Sequence, residues 1–250
     1  RRTLTRWGLD NPRQAGLSLR AETQPAQPGA GGPSLAASGA RPLTSHQLAL
    51  FGQGALVTLI IAVAAMLLAA PLGMALALAR SESRLLRPFA AVYVEVVRGT
   101  PVLLQLYLLY YGLASVVSLS PWTAAILGLG LNYAAYEAEI YRGALAAVPD
   151  GQWEAALAIG MTRRMALREI ILPQALRLAL PGVTNDFISL LKDSSLVSVL
   201  TVVELTKRMT ITAVDNHGWL LPGLVCAAMY FALGYPFARL ARRLERQLSR

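Results

Sequence analysis

The chain has 250 residues, of which 55% are hydrophobic and 15% charged, with a mean hydropathy of +0.47. A soluble domain of this size would carry about 25% charged residues, so the composition excludes an ordinary soluble globule. Basic residues outnumber acidic ones, 23 to 14, for a formal net charge of +9. The arginines bracket apolar segments instead of forming a stripe, which argues for a membrane and against a nucleic-acid surface. The lone cysteine, Cys226, rules out an intrachain disulfide and a metal site of cysteines.

Residues 1–47 differ from the rest. Gln24 to Pro42 is rich in Pro, Ala, Gly and Ser without periodicity, so residues 24–47 read as a flexible linker. The chain starts Arg1-Arg2 with neither initiator Met nor signal peptide, the expectation being a fragment of a longer product.

Five apolar segments follow, within residues 48–250. Gly54 to Ala79 is 26 residues without a charge, where a span needs about 20. Pro71 and Gly73 predict a kink in it, and Arg80, Arg84 and Arg87 close it. Phe89 to Ser118 is interrupted by Glu95, Arg98, Gly99 and Pro101. Trp122 to Tyr141 carries Gly128 and Gly130, which allow close helix contact. Ala175 to Val203 contains Asp186, Lys192 and Asp193, and Trp219 to Ala238 is followed by Arg239, Arg242, Arg243 and Arg246. The expected fold class is an all-α membrane protein with five transmembrane helices.

The arginines orient it. They gather at 80–87, at 163–168 and in the C-terminal tail, whereas the opposite loops, about 113–121 and 204–218, hold only Lys207 and Arg208 as lysine or arginine. The N-terminus and linker are therefore expected outside, and the 149–174 loop and the C-terminus in the cytoplasm. Trp122 and Trp219 then fall at outer span ends, as interfacial anchors do.

The 149–174 loop breaks the apolar pattern. Asp150 is a candidate N-cap, Gln152 to Ile159 a short helix, and Gly160 its stop, with a second helix restarting at Met161–Thr162. Glu154-Ala155-Ala156, then Gly160, then Ile170 or Ile171 with Leu172-Pro173, resembles the EAA loop of ATP-binding-cassette importer permeases. The resemblance implies that Glu154, Ala155, Ala156, Gly160, Arg163 and Arg164 couple the chain to a separate ATPase.

Ionisable groups at membrane depth are costly unless paired or facing a cavity, so each is a functional candidate. Glu95, Arg98, Gly99, Thr100, Pro101 and Gln105 form E-x-x-R-G-T-P-x-x-x-Q, which resembles a block of polar amino acid permeases. Either the broken helix lines a cavity, or it is an interfacial kink with Arg98 reaching outward. Ala135, Tyr136, Ala138, Glu139, Ile140, Arg142 and Gly143 resemble another block of that subfamily; Asn132, Tyr136 and Glu139 share one helix face. Glu139 is placed to pair with Arg142. Glu137 lies on the face of Tyr133 and Tyr141 with no partner at i+3 or i+4, so it either holds a cationic side chain or faces the surface. Lys192, Asp193, Ser194 and Ser195 resemble a third block, with Ser194 in place of its threonine. Asp186, Ser189 and Asp193 share a face, and Asn185 and Asp186 would suit the α-amino and carboxylate groups of an amino acid. Lys192 and Asp193, being adjacent, should each bond another span. The same cluster read structurally is a polar seam between helices.

No G-x-x-x-x-G-K-[ST], H-E-x-x-H or G-x-S-x-G pattern occurs, and His46 and His217 sit outside the spans. The resemblance covers roughly residues 48–248. It implies a type I ABC importer permease with no catalysis or cofactor of its own, ATP and Mg being bound by the partner. The implied partners are two ATPase subunits, a second permease copy (a homodimer favoured), a periplasmic binding protein or fused domain, membrane lipid and an amino acid, with no nucleic acid. The implied location is a bacterial inner membrane. Thr3 to Asp10 resembles the tail of a periplasmic amino-acid-binding domain, so residues 1–23 are expected to be either a remnant of one or an unrelated disordered tail. Acids (Glu95, Glu137, Glu139, Asp186, Asp193) outnumber bases (Arg98, Lys192) inside the membrane, which leans towards basic amino acids. The competing reading is an ion-coupled secondary transporter using Asp186, Glu137 and Lys192 as a relay; it would be marked by inverted repeats, which the sequence lacks.

Overall fold

The computed structural model describes residues 42–248, all helical or irregular, with no strand among them. The proposed remnant 1–23 and residues 24–41 of the linker lie outside the described residues. Helix α1, Ser45–Glu82, starts with a capping box in which Thr44 and Gln47 satisfy each other's backbone N–H groups. Residues 45–47, assigned to the linker, therefore belong to the helix. The helix runs 38 residues, continuous through Pro71, or about 57 Å at 1.5 Å per residue.

Its buried stripe is small: Gly54, Ala55, Thr58, Ala62, Ala65, Ala69, Gly73 and Ala77 recur at three- and four-residue steps. From Ala62 onward this stripe packs against α4, Pro121–Ala146, the most extensive helix pairing among the described residues, whereas Gly54 and Thr58 meet Leu205. Small side chains let two backbones approach where the surrounding solvent offers no hydrophobic driving force. Gly130 approaches Ala65 and Leu68 of α1, as its position in the sequence suggested, while Gly128 accommodates Leu106.

The second apolar segment is not one straight span. Helix α2, Arg87–Arg98, stops at Gly99; α3, Val102–Tyr107, continues through a π-helical turn, Leu108–Gly112, and is bent from α2 by 103°. Pro101 cannot donate the bond that would carry the helix through. The freed carbonyls are taken up locally: Thr100 Oγ1 donates to Val96 O, and Gln105 Nε2 donates to Val97 O.

Beyond α4 come two short loop helices, α5 (Asp150–Ala158) and α6 (Arg163–Ala166). A π-helical turn, Leu167–Ile171, leads into α7, Leu172–Asp193, which ends in a 3₁₀ segment, Ser194–Leu200. The fourth expected span is thus a helix plus this irregular end. The supposed outer loop 204–218 contains a helix, α8 (Leu205–Asp215), capped by Glu204; α9, Leu220–Leu248, closes the fold. The core joins α1, α3, α4, α7 and the 3₁₀ segment through Ile61, Leu106, Leu129, Leu190, Leu191 and Leu200.

By length and composition, α1 and residues 220–247 can each cross a bilayer, and α2 with α3 makes a third span if counted as one bent unit. The 26 residues of α4 and 22 of α7 are long enough, but they carry the polar and charged side chains that the site uses.

Candidate functional site

A polar cavity of about 470 Å³ opens where the α2–α3 break meets α4 and α7. The break supplies Arg98, Gly99, Thr100, Pro101 and Val102; α4 supplies Asn132, Tyr133 and Tyr136; α7 supplies Asp186, Ser189 and Asp193. The interrupted segment therefore lines a cavity, resolving the choice between lining and interfacial kink.

The geometry divides its charge. On α4, the tyrosine rings of residues 133 and 136 lie 5.8 Å apart, and the Arg98 guanidinium sits 5.3 Å from the Tyr136 ring centroid. Tyr133 Oη donates to Asp193 Oδ2 at 2.8 Å, tying α4 to α7. Asp186, one helical turn below Ser189, has a buried Oδ2 without a hydrogen-bond partner. It is electrostatically in reach of both Asp193 and Arg98. Two carboxylates thus face one guanidinium around a space that admits a small polar molecule.

Of the residues the sequence nominated, Arg98, Tyr136, Asp186, Ser189 and Asp193 converge here; Glu95, Gln105, Glu137, Asn185 and Lys192 do not line the cavity. Glu95 is exposed on α2. Gln105 serves the break, accepting from Asn132 Nδ2 at 3.0 Å while donating to Val97 and Thr100. Asn185 donates to Glu245 of α9, so it ties α7 to the last helix instead of facing the space. Lys192 turns towards Tyr230 and Phe231 of α9. Glu137 is fully buried, and neither carboxylate oxygen has a hydrogen-bond partner. It packs against Gly73 of α1, with the Tyr141 hydroxyl nearby. It faces neither the surface nor the cavity, because the α1–α4 seam claims that side of the helix.

Glu139, further along α4 than Asn132 and Tyr136, does not line the cavity. It pairs with Arg142 at 2.7 Å, as its spacing suggested, and also with Arg80 at the end of α1. Sequence reasoning missed Tyr133 as a lining group and Glu204 altogether. The signal for Tyr133 is its i, i+3 position from Tyr136; the signal for Glu204 is an acidic residue immediately before a short amphipathic run.

The 149–174 loop is a second feature. Asp150 is the first helical residue of α5, not its cap; Pro149 precedes it without a side-chain cap bond. Gly160 stops α5 with φ +85°, the left-handed region where a Cβ is costly. Thr162 caps α6 by accepting from Met165 N. Glu154, Ala155, Leu157, Ile159, Arg164 and Met165 are exposed, Ile159 to 77%, whereas Ala156 is buried. Arg163 sits differently. Its guanidinium makes a double hydrogen bond to Glu82, at 3.0 and 3.3 Å, and lies 4.8 Å from the Trp153 ring centroid. The Glu82 carboxylate raises the Arg163 guanidinium above its ordinary value.

Residues 69–250 match the family described as "Binding-protein-dependent transport system inner membrane component". The probable amino-acid permease protein YxeN of Bacillus subtilis is 41% identical over 199 residues, spanning 78% of this chain and 89% of that protein. The L-cystine transport system permease protein TcyB of the same organism is 40% identical, over 70% and 76% of the two chains. A solved chain titled "Crystal structure of an amino acid ABC transporter with histidines" superposes with a TM-score of 0.75 at 35% identity, covering 83% of this chain and all of that one.

Proposed function

The chain belongs to the binding-protein-dependent transport inner membrane component family, as the permease subunit of an amino acid ABC importer, and we propose that it carries basic amino acids through the α4–α7 cavity. One observation carries the substrate reading: Asp186 and Asp193 face a single Arg98 across about 470 Å³. Arg98, steadied over Tyr136, suits an α-carboxylate. Asp186, with an unpartnered oxygen, suits an ammonium or guanidinium, and Asp193 is oriented by Tyr133. A buried acceptor without a partner is what a cationic ligand would satisfy.

The wider assembly belongs to the same proposal. A partner ATPase binds ATP and Mg and docks on the exposed face of α5 through Glu154, Leu157 and Ile159. Two copies of this chain pair, and an external binding protein or fused domain delivers the amino acid. Five spans, the bent α2–α3 pair counted as one, place the N-terminus outside and the 149–174 loop in the cytoplasm; the arginine distribution supports that orientation.

The test is ATP-driven uptake of labelled arginine, glutamine and cystine into proteoliposomes of the assembled transporter, with wild type and Asp186→Asn. Arginine uptake should fall about tenfold or more in the variant while any glutamine uptake survives. Equal loss for both, or no arginine uptake by wild type, would remove the basic-substrate reading.

A further inference from the structure

Arg163 sits in the loop expected to meet the ATPase, yet its hydrogen bonds point inward. Its guanidinium engages both carboxylate oxygens of Glu82, 81 residues earlier and the last residue of α1. The same guanidinium covers the ring of Trp153 on α5. Trp153 in turn packs on the cluster formed by Tyr141, Ala144, Val148, Ile171 and Ala175, where the ends of α4 and α7 meet the loop.

The connectivity gives this contact a task. Helix α4 runs into α5, and α6 runs through the π-helical turn into α7, so both cavity-lining helices are joined to the loop by the chain itself. Helix α1 is not, and its backbone hardly approaches the two loop helices. Nevertheless α1 is packed along α4 over its small-residue stripe. A loop displacement that moved α4 and α7 but left α1 behind would shear that seam. The bidentate fork on Glu82, with the flat face on Trp153, holds α1, α5 and α6 at one point.

We propose, on the permease reading above, that Arg163 with Glu82 and Trp153 is an intramolecular clasp that makes α1 move with the loop. Arg163 is thus a positioning residue for transport. The neighbouring Arg164 and the exposed apolar side chains of α5 remain available to the ATPase.

The experiment uses the full transporter in proteoliposomes with its ATPase and binding protein. It compares wild type, Glu82→Gln, Arg163→Lys, Arg163→Ala and the double exchange Glu82→Arg with Arg163→Glu. Three readouts are taken: ATPase co-purification, ATP hydrolysis, and uptake of labelled arginine, glutamine and cystine. Wild type that neither retains an ATPase nor takes up any of the three sinks the permease reading, independently of the clasp. With a working wild type, Glu82→Gln and Arg163→Ala should keep the ATPase while uptake per ATP hydrolysed falls about fivefold. Arg163→Lys, which keeps the charge but not the fork, should fall in between, and the exchanged pair should recover uptake. Unchanged uptake in Glu82→Gln overturns the clasp. So does loss of the ATPase in Arg163→Ala but not in Glu82→Gln, which would make Arg163 a docking contact.

Discussion

Gly73 and Glu137 meet so closely that a Cβ added to the glycine would lie 2.5 Å from the Cβ of the glutamate. The same added atom would lie 3.0 Å from Ala134 O and from Ala138 N, both backbone atoms that cannot rotate away. Gly73→Ala gains helix propensity of about 1 kcal/mol, but it must push α1 and α4 away from each other along their whole seam. Overpacking of this kind costs about 1–3 kcal/mol, so the expected net result is a lower thermal midpoint in detergent. Glu137→Ala keeps its Cβ and should not rescue Gly73→Ala, and Glu137→Gly should rescue it only in part, because the contacts with Ala134 O and Ala138 N remain.

Glu137 itself supplies a second prediction. A fully buried carboxylate without a hydrogen bond is an expensive group to hold. Glu137→Gln keeps its volume and removes the charge, so the thermal midpoint should stay level or rise. The ratio of arginine to glutamine uptake should not change, since the side chain is absent from the cavity lining. A selective loss of arginine uptake would place this carboxylate in the path after all.

Glu204 is also fully buried, but fully used. Its carboxylate accepts from Thr206 N and Lys207 N at 2.7 Å each and from Tyr230 Oη at 3.0 Å, fixing the start of α8 against α9. Glu204→Ala should cost about 2 kcal/mol or more, because a cap is lost and a buried tyrosine hydroxyl loses an acceptor. Tyr230→Phe removes one bond of the three and should cost less. Equilibrium unfolding of the purified chain ranks the two.

The reverse turn in the loop offers a test without packing. Gly160 has φ +85° and no atom within 4 Å of a hypothetical Cβ, so a side chain there meets strain but no clash. Gly160→Ala should incur about 1–2 kcal/mol, weakening ATPase association by about tenfold if the loop relaxes to another shape when free. Gly160→Asn should be milder, since asparagine tolerates the left-handed region. Titration of immobilised permease with ATPase would show the order Gly, Asn, Ala.

Much of this is legible in sequence where one helix alone decides the outcome. Asp186, Ser189 and Asp193 line the cavity together because seven residues make two helical turns, and Gly99 with Pro101 breaks its segment whatever surrounds it. Gly160 stops α5 for the same local reason. What sequence does not decide is which face of α4 meets which neighbour. Tyr133 and Glu137 are four residues apart, yet one bonds Asp193 across the cavity and the other is sealed against Gly73. Helix α8 reads as a loop in sequence because its eleven residues, Leu205–Asp215, are too polar to resemble a span. It is ordered by Glu204 at its start and by the buried bond from Leu205 N to Thr58 Oγ1, a contact 147 residues distant in sequence.

The small-residue seam between α1 and α4 separates two jobs, spacing the helices and lining the cavity. Alanines and glycines hold the helices at their distance, while the cavity draws its polarity from other positions on α4 and α7 and from the broken α2–α3 pair. A lining residue such as Ser189 lies off the seam and can be exchanged without repacking it. A lineage built on this plan has room to change its cargo one substitution at a time while inheriting an intact frame.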